Sequence, residues 1–354
     1  MKTYGFAIVG CGMISEYHAA AIADLPNARL VAGADIVEKN RKKFSEKHGC
    51  DTVADYNDLM SRKDVDVVCV CTPSGAHLEP AVAAARGRKH VIVEKPIEIT
   101  LDRADAVIRA CDENRVQVCT IFPYRFTEGA IALKAAIAQG RFGRITVGDA
   151  YNKWWRTQAY YDSGAWRGTW KLDGGGAVMN QGIHAVDLIQ WYLGPVANIC
   201  SFAGCLAHER IEVEDTAVAA VRYRSGALGV LECTTSIYPG LSRKIEIHGD
   251  KGTVIMADET FIQWEFAEER PEDKDIRARL AFGKGMVGAG AADPSAISYV
   301  HHREQIKDFL RAIETGTQPV CDGREGRKSV EIIMALYRSS RQGQYVTLPL
   351  APEA

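Results

Sequence analysis

The apolar positions of this chain follow two different rhythms. Through residue 122, short unbroken apolar runs at 4–9, 29–34, 65–71, 91–94 and 117–121 alternate with stretches of helical spacing, clearest at 78–86 and 101–114. Unbroken runs mark strands buried on both faces, and their alternation with helices marks βαβ crossovers, so 1–122 is predicted to be a doubly wound parallel sheet. After Pro123 the rhythm changes. Runs at 217–222, 228–235 and 244–248 read as strands joined by Arg224-Ser225-Gly226 and Gly249-Asp250-Lys251-Gly252 turns. They predict a second α/β domain at 123–354, an open and mostly antiparallel sheet with helices on one face. A sheet face left free of helices predicts self-association, as a homodimer or homotetramer. The stretch 267–294 is charged and then glycine-rich, with little periodicity, and reads as a loop.

Composition narrows the partners. With 354 residues, 47% hydrophobic and 25% charged, the chain suits two globular domains, and a net charge of -2 gives neither a nucleic-acid footprint nor a polybasic membrane anchor. Small solutes remain. No apolar run approaches the roughly 20 residues of a membrane span, and the amino terminus enters a strand with no signal-peptide pattern, so a cytoplasmic protein is expected. Its 10 cysteines are scattered without zinc-type spacing, and His301-His302 has no partner at ligand spacing, so no metal is expected.

Candidate chemistry gathers at the carboxyl ends of the predicted parallel strands, the ligand-bearing edge of such sheets. Gly10-Cys11-Gly12 stands between a strand and a helix, where Gly10 permits a tight turn, Gly12 lets a pyrophosphate approach, and the helix start offers free N–H groups at Met13 and Ile14. Ser15 replaces the third glycine of that pattern. Asp35 closes the second strand, placed to accept both hydroxyls of an adenosine ribose and to repel a 2'-phosphate, which favours NAD over NADP. Thr72-Pro73-Ser74, with His77 beyond it, and Glu94-Lys95-Pro96 end two further strands and are expected to flank the nicotinamide half. Lys95 itself reads either as a solvated lysine or as a functional amine whose direction the following proline fixes.

In the second domain, Gly174-Gly175-Gly176 precedes a helix ending near Leu193. Asn180, His184 and Asp187 fall on one face of that helix, so His184 is either a core histidine satisfied by Asp187 or a general base. The three glycines read as clearing side-chain bulk for a cofactor or substrate. Aromatic residues with interleaved cations, Lys153, Trp155, Arg156, Tyr160, Trp166 and Arg167, suit either stacking on a pyranose or subunit packing, and the cations suit either an anionic substrate or salt bridges to neighbouring subunits or to Asp162 and Asp173.

Taken in order, Gly10-Cys11-Gly12, Thr72-Pro73, Glu94-Lys95-Pro96 and the glycine triplet followed by Asn180 and His184 resemble the Gfo/Idh/MocA family over essentially the whole chain. The resemblance implies a Rossmann domain and a large-sheet domain, NAD, and a catalytic Lys95 and His184 pair with Asn180 where many members carry Asp. It implies substrate contacts from Lys95, Tyr124, Arg125, Trp155, Arg156, Trp166, Arg167, Asn180 and His184. Trp166-Arg167-Gly168-Thr169-Trp170 and Val213-Glu214-Asp215-Thr216 are similar to stretches of dehydrogenases that oxidise the 3-hydroxyl of UDP-linked N-acetylglucosaminuronate. The implied activity is oxidation of a secondary alcohol of a sugar; a cyclitol dehydrogenase, a redox glycosidase and a non-catalytic regulator are the alternatives.

Overall fold

The computed structural model describes residues 2–283 and 298–351. It contains two compact units, one of Met1–Pro123 with Ser298–Val330, the other of Tyr124–Ile297 with Glu331–Ala354. In the first, β1 (Tyr4–Val9), β2 (Ala28–Ala34), β3 (Asp51–Val53), β4 (Val67–Val70), β5 (His90–Val93) and β6 (Val118–Thr120) form one parallel sheet in the order β3-β2-β1-β4-β5-β6. Strand order reverses beside β1, so the switch point at which such sheets bind ligands lies between the ends of β1 and β4. Gly10 and Thr72 follow those two ends.

The helix Val300–Thr315 belongs to this unit, although a linear division at residue 122 assigns it to the second domain. Its apolar stripe of Ile306, Phe309 and Leu310 packs into the core around Phe6, Ile22 and Ile92. Gln305 ties it to the sheet, accepting from Phe122 N at 2.9 Å and donating to Thr120 O at 2.7 Å. Periodicity shows that a helix has an apolar face, but not which sheet that face will cover.

The second unit holds β7 (Ile145–Lys153), β8 (Val196–Gly204), β9 (Thr216–Tyr223), β10 (Leu228–Thr234), β11 (Lys244–Gly249), β12 (Gly252–Ala257), β13 (Thr260–Phe266) and β14 (Val346–Thr347). They form one sheet in the order β13-β12-β11-β7-β10-β9-β8-β14, antiparallel except for β7 with β10. β9 shows the period of two that one buried face requires: Ala217, Ala219, Val221 and Tyr223 are buried between exposed neighbours. The helix Ile183–Leu193 packs on β7, so closely that a Cβ on Gly148 would lie 2.0 Å from Leu193 Cδ1. The other face carries exposed Phe202, Val218 and Leu228 beside Asp149, Lys153, Glu232, Lys244 and Glu246.

Within the stretch read as a loop, Pro271–Arg279 is a helix, and 284–294 lies outside the described residues. No apolar stripe announces this helix. It is held instead by Asp273, buried near its start, which takes both Nη atoms of Arg141 at 2.6 Å and the Trp264 indole N–H at 2.7 Å.

Candidate active site

In the first unit, Gly10 sits at φ +93 with room for no side chain, since a Cβ would be 2.7 Å from Cys71 O. Gly12 differs: it is extended, and an added Cβ would meet nothing within 4 Å. Open space above the first turn of Met13–Ala23, with Met13 half-exposed, is what a pyrophosphate lying on a helix start needs. Ile14 is partly buried, and Ser15 is wholly buried with its hydroxyl bonded to Gly12 O at 2.6 Å, so a small residue replaces the third glycine without strain. Asp35 follows β2 and accepts from Cys11 N at 2.9 Å and Val37 N at 2.8 Å, which aligns its carboxylate with the glycine turn. The residues present therefore fit a dinucleotide.

Beyond β4, the Thr72 hydroxyl bonds Ala76 O at 2.8 Å and Ser74 is buried. His77 is also buried, against the expectation that it touches cofactor. Its Nδ1 is 2.8 Å from Pro96 O and its Nε2 2.9 Å from Thr72 O, so it laces the turn after Thr72-Pro73 to the turn after Lys95-Pro96. Burial holds its pKa below the usual histidine value despite Glu98 nearby.

Glu94 is likewise an interior group. It is held by His18 Nε2 at 2.8 Å and by its neighbour Lys95 N at 3.2 Å, with His302 Nε2 at 3.8 Å. Tertiary folding thus gives His302 neighbours that sequence spacing did not, and His18, Glu94 and His302 form a group of metal-ligand type. Burial alone would raise Glu94, but the two histidines drive it well below the usual carboxylate range. His18 moves upward, burial being outweighed by Cys71 and Glu94. Burial pushes the Cys71 thiol up to about 11, so it is neutral near pH 7 and the ionised Glu94 is the charge that favours a protonated His18. A carboxylate spent on this pair anchors the strand end that carries Lys95, which is itself partly buried.

In the second unit, the glycine triplet runs into a π-helical turn, Ala177–Gly182, before the helix Ile183–Leu193. Such turns break the 3.6-residue period and recur at functional sites. Asn180 donates to Asp173 Oδ1 at 2.6 Å, and His184 stands edge-on to the Tyr124 ring at 5.0 Å. Tyr124 in turn lies under the Arg243 guanidinium at 3.7 Å. Asp187 accepts both arms of Arg125, at 2.8 and 2.7 Å, in a buried pair. Arg125 is therefore a core residue and not the substrate contact expected, because withdrawing its fork would strand Asp187 as a buried charge.

The triplet also has a different purpose from the one expected. A Cβ on Gly176 would lie 1.7 Å from Glu214 O, and one on Gly175 would lie 2.1 Å from the Tyr337 hydroxyl. Protein packing, and not a ligand, requires these two glycines.

The aromatic cluster separates into two groups. Lys153 leaves it, pairing with Glu232 at 3.0 Å on the helix-free face of the sheet. Arg156 and Arg167 gather on Tyr160, their guanidinium carbons 5.4 and 4.3 Å from its ring, and Arg167 donates to the Tyr160 hydroxyl at 2.6 Å. Arg156 is buried and also lies 5.0 Å from the Trp154 ring; burial and the positive charge of Arg167 depress its pKa, with Tyr160 acting the other way. Gln181 Nε2 reaches the same hydroxyl at 3.0 Å, while its buried Oε1 has no hydrogen-bond partner among the described residues. Trp166 stacks on Arg167 at 4.5 Å, and Trp155 stands edge-on to Tyr238 at 5.8 Å. Gln181 joins this cluster by tertiary contact, and only its position beside Asn180 hinted at it, whereas Tyr160 already stood among the aromatic residues of the sequence pattern.

Lys95 belongs to the first unit, and Asn180, His184, Arg156 and Arg167 to the second. No helix among the described residues is long and apolar enough to cross a membrane.

Known proteins are similar to this chain in sequence and fold. The WlbA dehydrogenase of Bordetella pertussis, solved with NADH and UDP-GlcNAcA, is 35% identical, with 99% of each chain covered and a TM-score of 0.89. Myo-inositol 2-dehydrogenase of Thermotoga maritima is 27% identical over 96% of this chain and 97% of its own. Inositol 2-dehydrogenase of Rhizobium meliloti is 24% identical, covering 98% of this chain and 99% of its own. Residues 4–122 match the oxidoreductase family with an NAD-binding Rossmann fold, and 130–255 match the Gfo/Idh/MocA C-terminal domain. With both of its domains matched, the chain belongs to the Gfo/Idh/MocA family of NAD-binding oxidoreductases.

Proposed function

We propose that this protein is a cytoplasmic, homo-oligomeric NAD-dependent dehydrogenase that oxidises a secondary alcohol of a sugar, with a nucleotide-linked uronate as substrate and its 3-hydroxyl as the group oxidised. The observation that carries the substrate class is the pair of guanidiniums on Tyr160. Two like charges held together, one of them buried, are stabilised by an anion, and arginine suits the bidentate grip of a carboxylate or phosphate. The similarity to a dehydrogenase solved with UDP-GlcNAcA supports the same class.

His184 takes the hydroxyl proton, the task for which imidazole is suited near neutral pH. Lys95 hydrogen-bonds the same oxygen and stabilises the negative charge that grows on it. Asn180, oriented by Asp173, holds a neighbouring substrate hydroxyl. A dinucleotide held at the Gly10-Cys11-Gly12 turn and Asp35 would supply the acceptor for the hydride of the alcohol carbon. Replacing His184 or Lys95 by alanine lowers turnover by roughly 10²- to 10⁴-fold with cofactor binding retained, the usual worth of a positioned acid or base.

The test compares kcat/KM, read as NADH formation, for UDP-N-acetylglucosaminuronate, its uncharged parent nucleotide sugar and myo-inositol. The uronate is expected to lead by about tenfold or more, with the advantage shrinking as salt is added. A clear preference for myo-inositol would transfer the assignment to the cyclitol dehydrogenases, the reading that the Thermotoga and Rhizobium relatives favour.

A further inference from the structure

Two adjacent buried carboxylates, Glu214 and Asp215, point into different neighbourhoods of the second unit, and neither has a place in the chemistry above. Glu214 grips the glycine turn. Its Oε2 accepts from Gly176 N at 3.0 Å and its Oε1 from Val178 N at 2.9 Å, while its carbonyl oxygen accepts from Ala177 N at 3.0 Å. Three consecutive amides therefore end on one residue, at the start of the π turn that carries Asn180 and leads to His184. Tyr337 locks the far side, its hydroxyl donating to Glu214 Oε1 at 2.9 Å.

Asp215 grips the other loop. Its carboxylate accepts from the backbone amides of Leu206, Ala207 and His208 at 2.9, 2.8 and 2.9 Å, and lies 3.0 Å from His208 Nδ1. The opposite ring nitrogen, His208 Nε2, is 2.8 Å from Arg156 O. With an acceptor at each end, the ring can donate at both nitrogens and acts as a strut from Asp215 to the backbone of the arginine cluster. Tyr161 packs edge-on against the strut at 4.8 Å, its hydroxyl fixed on Thr235 Oγ1 at 2.7 Å.

We propose that Glu214 and Asp215 are positioning residues that set two walls of the substrate site independently: Glu214 sets the turn bearing Asn180 and His184, and Asp215, through His208, sets the segment bearing Arg156. The inference rests on the roles proposed above for His184 and Arg156. One wall acts on the proton and the other on the anionic group, so their disturbance has different kinetic signatures. Glu214→Gln keeps the volume but turns an N–H toward either Gly176 N or the Val178 side, so one loop amide loses its acceptor. His208→Asn places an amide nitrogen near Nδ1 and keeps the Asp215 contact but loses Arg156 O. His208→Gln reaches toward the Nε2 position and restores that contact.

The experiment measures kcat and KM with UDP-N-acetylglucosaminuronate for these three variants, together with hydrogen–deuterium exchange of each variant. Glu214→Gln is expected to lower kcat about tenfold with KM within about twofold, the worth of one misplaced hydrogen bond. His208→Asn is expected to raise KM about tenfold with kcat nearly unchanged, and His208→Gln to return KM most of the way. Exchange should quicken over 176–182 in the first variant and over 154–157 and 205–208 in the second, each without the other. Loss of kcat at constant KM in both variants, failure of His208→Gln to restore KM, or exchange spreading across both segments would overturn the proposal. If the wild-type protein turns over no sugar, the assigned function fails, and the exchange pattern alone then decides whether the two clamps are independent.

Discussion

At the scale of single residues, the informative distinction is between polar groups spent on the protein and polar groups directed at a ligand. Glu94, His77 and Arg125 stand in or beside motifs that suggested contact with cofactor or substrate, yet each is buried and committed to protein partners. Asp35 keeps its expected place. Its backbone carbonyl also accepts from Arg41 Nη1 at 2.6 Å, so a cation is held on the same residue, while the carboxylate itself takes Cys11 N and Val37 N. NAD is therefore expected to bind more tightly than NADP, and Asp35→Asn to narrow the gap by about tenfold, since Arg41 could then meet a 2'-phosphate. Fluorescence titration with both reduced cofactors checks this, and equal affinities in the wild-type protein would remove the role given to Asp35.

At the scale of elements, the turn before His184 is under the tightest packing constraint. Gly176 pairs a negative φ of -109 with a ψ of -120, outside the regions open to residues with a side chain, and no Cβ fits against Glu214 O. Gly176→Ala is expected to cost about 1–3 kcal/mol, seen as a lower denaturant midpoint with an unchanged slope. Glu214 adds a pH dependence. Burial raises its carboxyl to about 7, against the pull of the Val178 amide, Tyr337 and the Gly176 amide. A group whose pKa is raised by folding contributes stability that is complete below its unfolded value and lost as pH rises through the folded one. The wild-type melting temperature should therefore fall, relative to that of Glu214→Gln, between about pH 4.5 and 7, and parallel curves for the two proteins would show that Glu214 is ionised throughout.

At the scale of the whole molecule, the sheet of the second unit leaves Phe202 79% exposed and Val218 43% exposed, paired across β8 and β9 on the face without helices. Exposed apolar neighbours on such a face are expected to be covered in a homodimer or homotetramer. Sedimentation of the wild-type protein should give that assembly, and Phe202→Glu with Val218→Glu should shift it toward monomer. A wild-type monomer at micromolar concentration would refute the expectation.

The hydrophobic rhythm of the sequence determined the kind of each sheet, because unbroken and alternating apolar runs are local consequences of two-sided and one-sided burial, while strands such as β3, β7, β8 and β13 emerged only in the fold. It also determined the glycine turn, Asp35 and the ends of β4 and β5, since chemistry at a strand end follows from chain order alone. Tertiary structure decided which sheet the helix Val300–Thr315 would cover, and it brought His302 to Glu94 from a distant part of the chain. Packing decided the meaning of the glycines at 175 and 176, which face Tyr337 and Glu214. It also sorted the cations, sending Lys153 to Glu232 while Arg156 and Arg167 met on Tyr160. Sequence spacing fixes which residues share a strand or a helix face; the partner each polar group finds depends on contacts between segments far apart in the chain, and only the folded core supplies those.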